Sequence, residues 1–196
     1  MIWGTLDVHI DRRKPTREGV SSMKIPTRKL ALATILGAAA WAVKAVMPGI
    51  PLSFAIPGAK IDFGWAPVVL AAIWTGTIGG IIAGSLMSLV PIPTLFMTGF
   101  LWTPWTLAVT GYLAQDRGWG WKASLVFPLL HVPIGCAIFT WVVPIFTFFV
   151  WQVVMPTIFI SEYTGAVTAA ALAHYVENKH PDILSLIKQE SWGSPK

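Results

Sequence analysis

Hydrophobic positions fill two long stretches of this chain. No Asp, Glu, Lys or Arg occurs from Phe63 to Gln115, 53 residues, or from Ala123 to Ser161, 39 residues. A helix rises about 1.5 Å per residue, so about 20 residues cross a hydrocarbon core and each stretch is long enough for more than one crossing. A third apolar run, Leu30–Val43, lies nearer the N-terminus. Proline and glycine divide these runs. The first helix is expected over about 28–47, stopping at Pro48. A loop with turn residues follows from Pro48 to Gly58 and carries Lys60 and Asp62 at its end. Residues 63–91 are apolar but broken at Thr75-Gly76 and Gly79-Gly80, and read as one long helix or two short ones. Pro91-Ile92-Pro93 ends that stretch. Further helices are expected over about 94–114, over 121–142 with bends at Pro128 and Pro133, and over 158–178, with Gln115–Gly118 as a loop. Residues 143–157 are apolar and carry Pro144 and Pro156.

Three zones follow: a polar, mobile extension over 1–22, a membrane domain over 23–180 and a polar tail over 181–196. Met23 is a plausible second start. Lys24–Lys29 with the following apolar run mimics a signal peptide, down to small residues at Ala38-Ala39-Ala40. The run continues to Lys44 and more spans follow, so a retained first helix is expected. Two helices within 63–91 give six spans with both termini on one side; one helix gives five. The loop at 115–122, weakly positive through Arg117 and Lys122 against Asp116, favours six. The expected fold is therefore all-α, a polytopic bundle of six transmembrane helices.

Composition strengthens this picture. Hydrophobic residues make up 55% and charged residues 12% of the 196, the latter about half the share of a soluble domain. Mean hydropathy is +0.65. These values argue against a soluble enzyme, a disordered chain and a disulfide-rich secreted domain. The net charge of +5 does not indicate nucleic acid, because Arg12, Arg13, Lys14, Arg17, Lys24, Arg28 and Lys29 all precede the first apolar run, where the positive-inside rule expects them. A single cysteine, Cys136, excludes an internal disulfide and a cysteine-cluster metal site. No metal or cofactor is expected.

The segment Lys60-Ile61-Asp62-Phe63-Gly64-Trp65-Ala66-Pro67, followed by Gly76 and Gly79-Gly80, resembles the substrate-capturing membrane subunit, or S component, of energy-coupling-factor vitamin transporters, and the riboflavin-type members in particular. Small residues on the first helix, a last helix containing Gly165 and ending near Tyr175, and the length from Met23 fit as well, over about 24–180. The resemblance implies six helices with both termini cytoplasmic, in the cell membrane. It also implies capture of a vitamin on the outer side and delivery through a transmembrane coupling protein driven by two ATPase subunits. It departs from the riboflavin pattern at Ser161-Glu162-Tyr163-Thr164-Gly165, where those members carry an Asn and a Lys. A carboxylate with aromatics suits a basic or cationic heterocycle better.

Candidate contacts follow from these two lines. Thr34, Ala38 and Ala42 are spaced by four on one helix face, with Ala33 and Gly37 beside them. Small residues allow close helix approach in lipid, toward a partner or the chain's own helices. For the substrate, Glu162 is the sole carboxylate between Asp116 and Glu177, and either binds a ligand or faces interfacial water at a helix start. Lys44 snorkels, pairs with Glu162 or meets the ligand. Lys60 and Asp62 either bridge within the loop or lie at the lid that the resemblance implies. Trp65, Trp102, Trp105 and Trp141, with Tyr163, offer aromatic faces for a flat ring or serve as interface belts. His131, the one histidine within the fifth helix, bonds substrate or a neighbouring helix.

No phosphate-binding GxxxxGK[ST] loop and no HExxH occurs in the sequence, so the chain is not expected to hydrolyse ATP itself. An enzyme is not expected, since no catalytic constellation stands out. Two alternatives to vitamin capture are a stand-alone proton-coupled carrier using Glu162 or His131, and a noncatalytic membrane scaffold subunit.

Overall fold

The structure, a computed structural model, describes residues 26–46, 50–51, 60–89, 99–142 and 144–188. The extension at 1–22, most of the first loop and the Pro91–Thr94 turn lie outside the described residues. Six helices form the framework: α1 (Thr27–Val46), α2 (Trp65–Met87), α3 (Gly99–Gln115), α4 (Phe127–Val142), α5 (Met155–Lys179) and α6 (Pro181–Lys188). Among the described residues the one extended feature is a two-residue antiparallel pairing of β1 (Ile50–Pro51) with β2 (Lys60–Ile61).

Among the described residues, four segments are long and apolar enough to cross a membrane: Thr27–Val46, Trp65–Met87, Gly120–Trp141 and Thr147–Lys179. The fourth starts before α5. Pro144–Phe146 and Thr147–Phe149 are single turns, and Val150–Val154 is a π-helical turn. Pro156 has no N–H to offer the preceding turn. The ladder widens there, and the Met155 N–H bonds the Val150 carbonyl five residues back.

The second segment is not a straight rod. Gly76 has φ +81° and ψ −163° inside α2, a conformation open to glycine and strained for other residues. Contacts on either side show that the chain reverses there. A Cβ on Gly37 would lie 2.9 Å from the Cα of Ala83, and one on Gly79 would lie 3.5 Å from the Cβ of Ala33. The 77–87 arm therefore runs parallel to α1. In a straight α2 that register would leave Trp65 about 37 Å from Lys44. Instead the Lys44 ammonium lies 3.6 Å from the Trp65 ring centroid. The 65–75 arm descends alongside α1, and the 77–87 arm returns. Each arm has 11 residues and reaches about 16 Å. The sequence alternative of two short helices in 63–91 is thus closer to the backbone than one long one.

The arms pack into the bundle with unusually close backbones. A Cβ on Gly80 would sit 2.5 Å from the Leu107 carbonyl oxygen, and one on Gly111 2.5 Å from the Gly76 carbonyl oxygen. Small residues are what allow such approach where no water is expelled to drive it. Val68, Val69, Ala71 and Ala72 on the first arm are fully buried. A broken helix leaves carbonyls without intrahelical partners, which apolar surroundings do not tolerate unless other groups meet them. Gln115 meets them: its Nε2 donates to the carbonyls of Ile73 at 3.2 Å and Trp74 at 2.6 Å, while its Oε1 accepts from the buried Lys29 ammonium at 3.3 Å.

The Gly76 reversal, Gln115 and the start of α1 thus share one end of the bundle. The end of α5 joins them, with His174 5.3 Å from Trp121 between ring centroids. So does α6, whose Leu186 carbonyl accepts from Arg28 at 3.4 Å and whose Leu184 is buried. The zone expected as a polar tail therefore begins with a packed helix.

Candidate functional site

The opposite half of the bundle holds a buried polar cluster. Its centre is Glu162, two turns into α5 and 1% exposed. The expectation of a helix-start carboxylate facing interfacial water is corrected here. The π turn and Met155–Ile160 precede Glu162, so it projects between helices. Across from it His131 of α4 is 5% exposed. His131 Nδ1 lies 2.9 Å from Glu162 Oε1 and 2.8 Å from Oε2. A carboxylate accepts, so Nδ1–H donates; Nε2 shares a hydrogen bond with the Thr103 hydroxyl of α3 at 2.9 Å. Three helices are joined by this chain of hydrogen bonds.

Aromatic rings enclose the histidine. Phe127, one turn before it on α4, stacks at 4.9 Å between centroids with planes 29° apart. Trp65 meets it edge-on at 4.8 Å, and Trp102 lies at 6.0 Å. The indole Nε1 of Trp102 is buried without a hydrogen-bond partner. Burying a charge is costly unless it is paired and hydrogen-bonded, and removing one partner of a buried pair costs about 3–5 kcal/mol. The His131–Glu162 contact is therefore strongly interdependent.

A second polar group adjoins the first through Trp65. Lys44 near the end of α1 places its ammonium 3.6 Å from the Trp65 ring centroid and 3.9 Å from Asp62 Oδ2. Asp62 is 5% exposed. Its Oδ1 accepts from the Gly64 N–H at 2.8 Å, which shapes the turn leading into α2. Its own N–H donates to Thr164 Oγ1 at 3.3 Å, tying the turn to α5. Gly165 makes room for this junction, since a Cβ there would lie 2.5 Å from the Trp65 Cβ.

Of the residues expected at a substrate site, Lys44, Asp62, Trp65, Trp102, His131 and Glu162 come together. Lys44 pairs with Asp62, which corrects the pairing of Lys44 with Glu162; the bridge of Asp62 with Lys60 falls outside the described residues. Lys60 contributes backbone to β2; its side chain lies outside the described residues. Trp105 and Trp141 do not join the cluster, being 62% and 82% exposed on the bundle's outer surface. Tyr163 points outward and stacks on Phe159. The small-residue stripe divides: Ala33 and Gly37 are buried, with Gly37 against Ala83 of the chain's own α2, whereas Thr34, Ala38 and Ala42 are exposed. Sequence reasoning missed Thr103, Phe127 and Thr164. Thr103, Thr106 and Thr110 are all buried at helical spacing on α3, and that i, i+3, i+7 polar stripe within an apolar helix was the available signal.

Comparison with protein-family models, with curated proteins and with solved structures gives no match for this chain.

Proposed function

We propose that this chain is the membrane-embedded substrate-capture subunit of an energy-coupling-factor type uptake transporter. It binds a small, aromatic vitamin or precursor and passes it inward through a coupling protein driven by two ATPase subunits. The observation that carries the reading is the cluster of buried Asp62, Trp65, His131 and Glu162 with half-buried Lys44 among apolar helices. Ionisable groups at membrane depth are costly and mark ligand or ion sites by default. The cluster lies away from the end that gathers Arg28, Lys29, Arg117, Lys122 and Lys179. That basic end suits the cytoplasmic face under the positive-inside rule, which puts both termini inside and the cluster toward the outside. The exposed Thr34, Ala38 and Ala42 on α1 suit docking of the coupling protein.

The test is native mass spectrometry of the protein purified gently in detergent, before and after exposure to a vitamin mixture. A stoichiometric retained heterocycle is the expected result. A protein that stays empty overturns capture. The His131–Glu162 pair favours one second reading, a stand-alone proton-coupled carrier. That reading requires transport in liposomes without a coupling protein, whereas the capture subunit moves nothing alone.

A further inference from the structure

Lys44, Asp62 and Trp65 make a cation site that the chain fills with its own side chain. An aromatic face beside a carboxylate is the arrangement by which proteins hold organic ammonium groups. Here the occupant is Lys44, with its ammonium 3.6 Å from the ring centroid and 3.9 Å from the carboxylate. The adjoining group is under-used in a complementary way. An ionised carboxylate offers about four acceptor sites, and among the described residues Glu162 accepts from His131 alone. The buried Trp102 N–H has no acceptor. Asp62 and Glu162 thus bring two buried carboxyl groups beside aromatic rings, a setting that suits a cation.

Resting on the capture reading above, we propose that the ligand is a planar aromatic cation bearing N–H donors. We further propose that Lys44 is its built-in competitor. The ligand ring takes the Trp65 face, its N–H groups donate to Glu162, and Lys44 swings toward the surface. Lys44 is suited to this because its side chain already reaches solvent, at 20% exposure, against 7% for Asp62. An anionic ligand would be set against the Asp62 and Glu162 carboxyl groups.

The test uses the full chain in lipid nanodiscs and three probes of one shape: benzamidinium, benzamide and benzoate. Binding is read by calorimetry. Benzamidinium is expected to bind at least tenfold more tightly than benzamide, with benzoate weakest. Glu162→Gln is expected to erase that preference. Lys44→Met, at the solvent-reaching edge of the cluster, keeps the test open if Glu162→Gln does not fold, and is expected to tighten benzamidinium binding several-fold. Benzamide or benzoate binding as tightly as benzamidinium overturns the proposal and leaves the capture reading standing. So does weaker benzamidinium binding in Lys44→Met. Absence of binding by all three probes overturns this proposal, while the native mass spectrometry above decides the capture reading.

Discussion

Removing the His131 imidazole tests the energetic centre of the bundle. In His131→Leu the volume is roughly kept, but Glu162, 1% exposed, loses the one side-chain donor that meets it among the described residues. Thr103 loses its imidazole partner at the same time. Breaking a buried pair by removing one partner costs about 3–5 kcal/mol. For a chain of this size each kcal/mol moves the melting temperature by about 2–4 °C, so a drop of roughly 6–20 °C is expected. Cys136 supplies the assay. It is the single cysteine, 4% exposed, on the same helix as His131, so a thiol-reactive fluorogenic maleimide reports unfolding as it becomes accessible. The double variant His131→Leu with Glu162→Leu removes both partners and should melt well above His131→Leu alone, because no unpaired carboxylate remains. A drop below about 2 °C in the single variant would refute the reasoning. So would a double variant whose loss equals the sum of the two single losses.

The other predictions use the same melting assay or the binding assay. Thr103→Val removes the hydroxyl bonded to His131 and should cost about 1–3 kcal/mol, whereas Thr103→Ser keeps the bond and should stay near wild type. Gly76→Ala forces a side chain into glycine-only backbone geometry and should cost about 1–3 kcal/mol; an unchanged melting temperature would mean the reversal is not where it is placed. Gly80→Val drives a Cβ against the Leu107 backbone oxygen, which cannot rotate away, and should lower stability by about 1–3 kcal/mol. Tyr163→Ala and Trp141→Ala sit on the outer surface and should leave ligand binding unchanged; loss of binding in either would move the site.

The membrane character of the chain was legible because it depends on summed hydrophobicity and the spacing of charges, which need no tertiary information. Helix ends were legible wherever proline or glycine set them, as at Gln115–Gly118. The last helix was expected from about 158, whereas it begins at Met155 and takes Pro156 into its first turn after a turn of π geometry. Six expected cluster residues came together because charged or aromatic side chains are rare in these apolar segments and have few places to go. Their pairing was not legible. Lys44 finds Asp62 rather than Glu162 because the reversal at Gly76 brings the start of α2 back beside the end of α1, a fact of three-dimensional path. Thr103 and Thr164 escaped notice because a hydroxyl in a membrane helix can satisfy itself on its own backbone, as Thr106 and Thr110 do, and sequence alone does not reveal which ones reach outward.

The Gly76 reversal makes α2 a lever. Its tip is pinned, with Gln115 stitched to the last carbonyls of the descending arm and itself held by Lys29. Its other end, about 16 Å away, carries Trp65 and is joined through the Asp62 turn to β2. Displacement at the far end of a pinned arm is arm length times angle. A swing of about 4° around the tip carries Trp65 by about 1 Å for an arm of that length. That distance is enough to part Lys44 from the indole face and loosen the Asp62–Thr164 bond, while the basic end of the bundle stays still. The backbone is therefore geared so that small angular play becomes a change of contact at the cluster and almost nothing at the pivot.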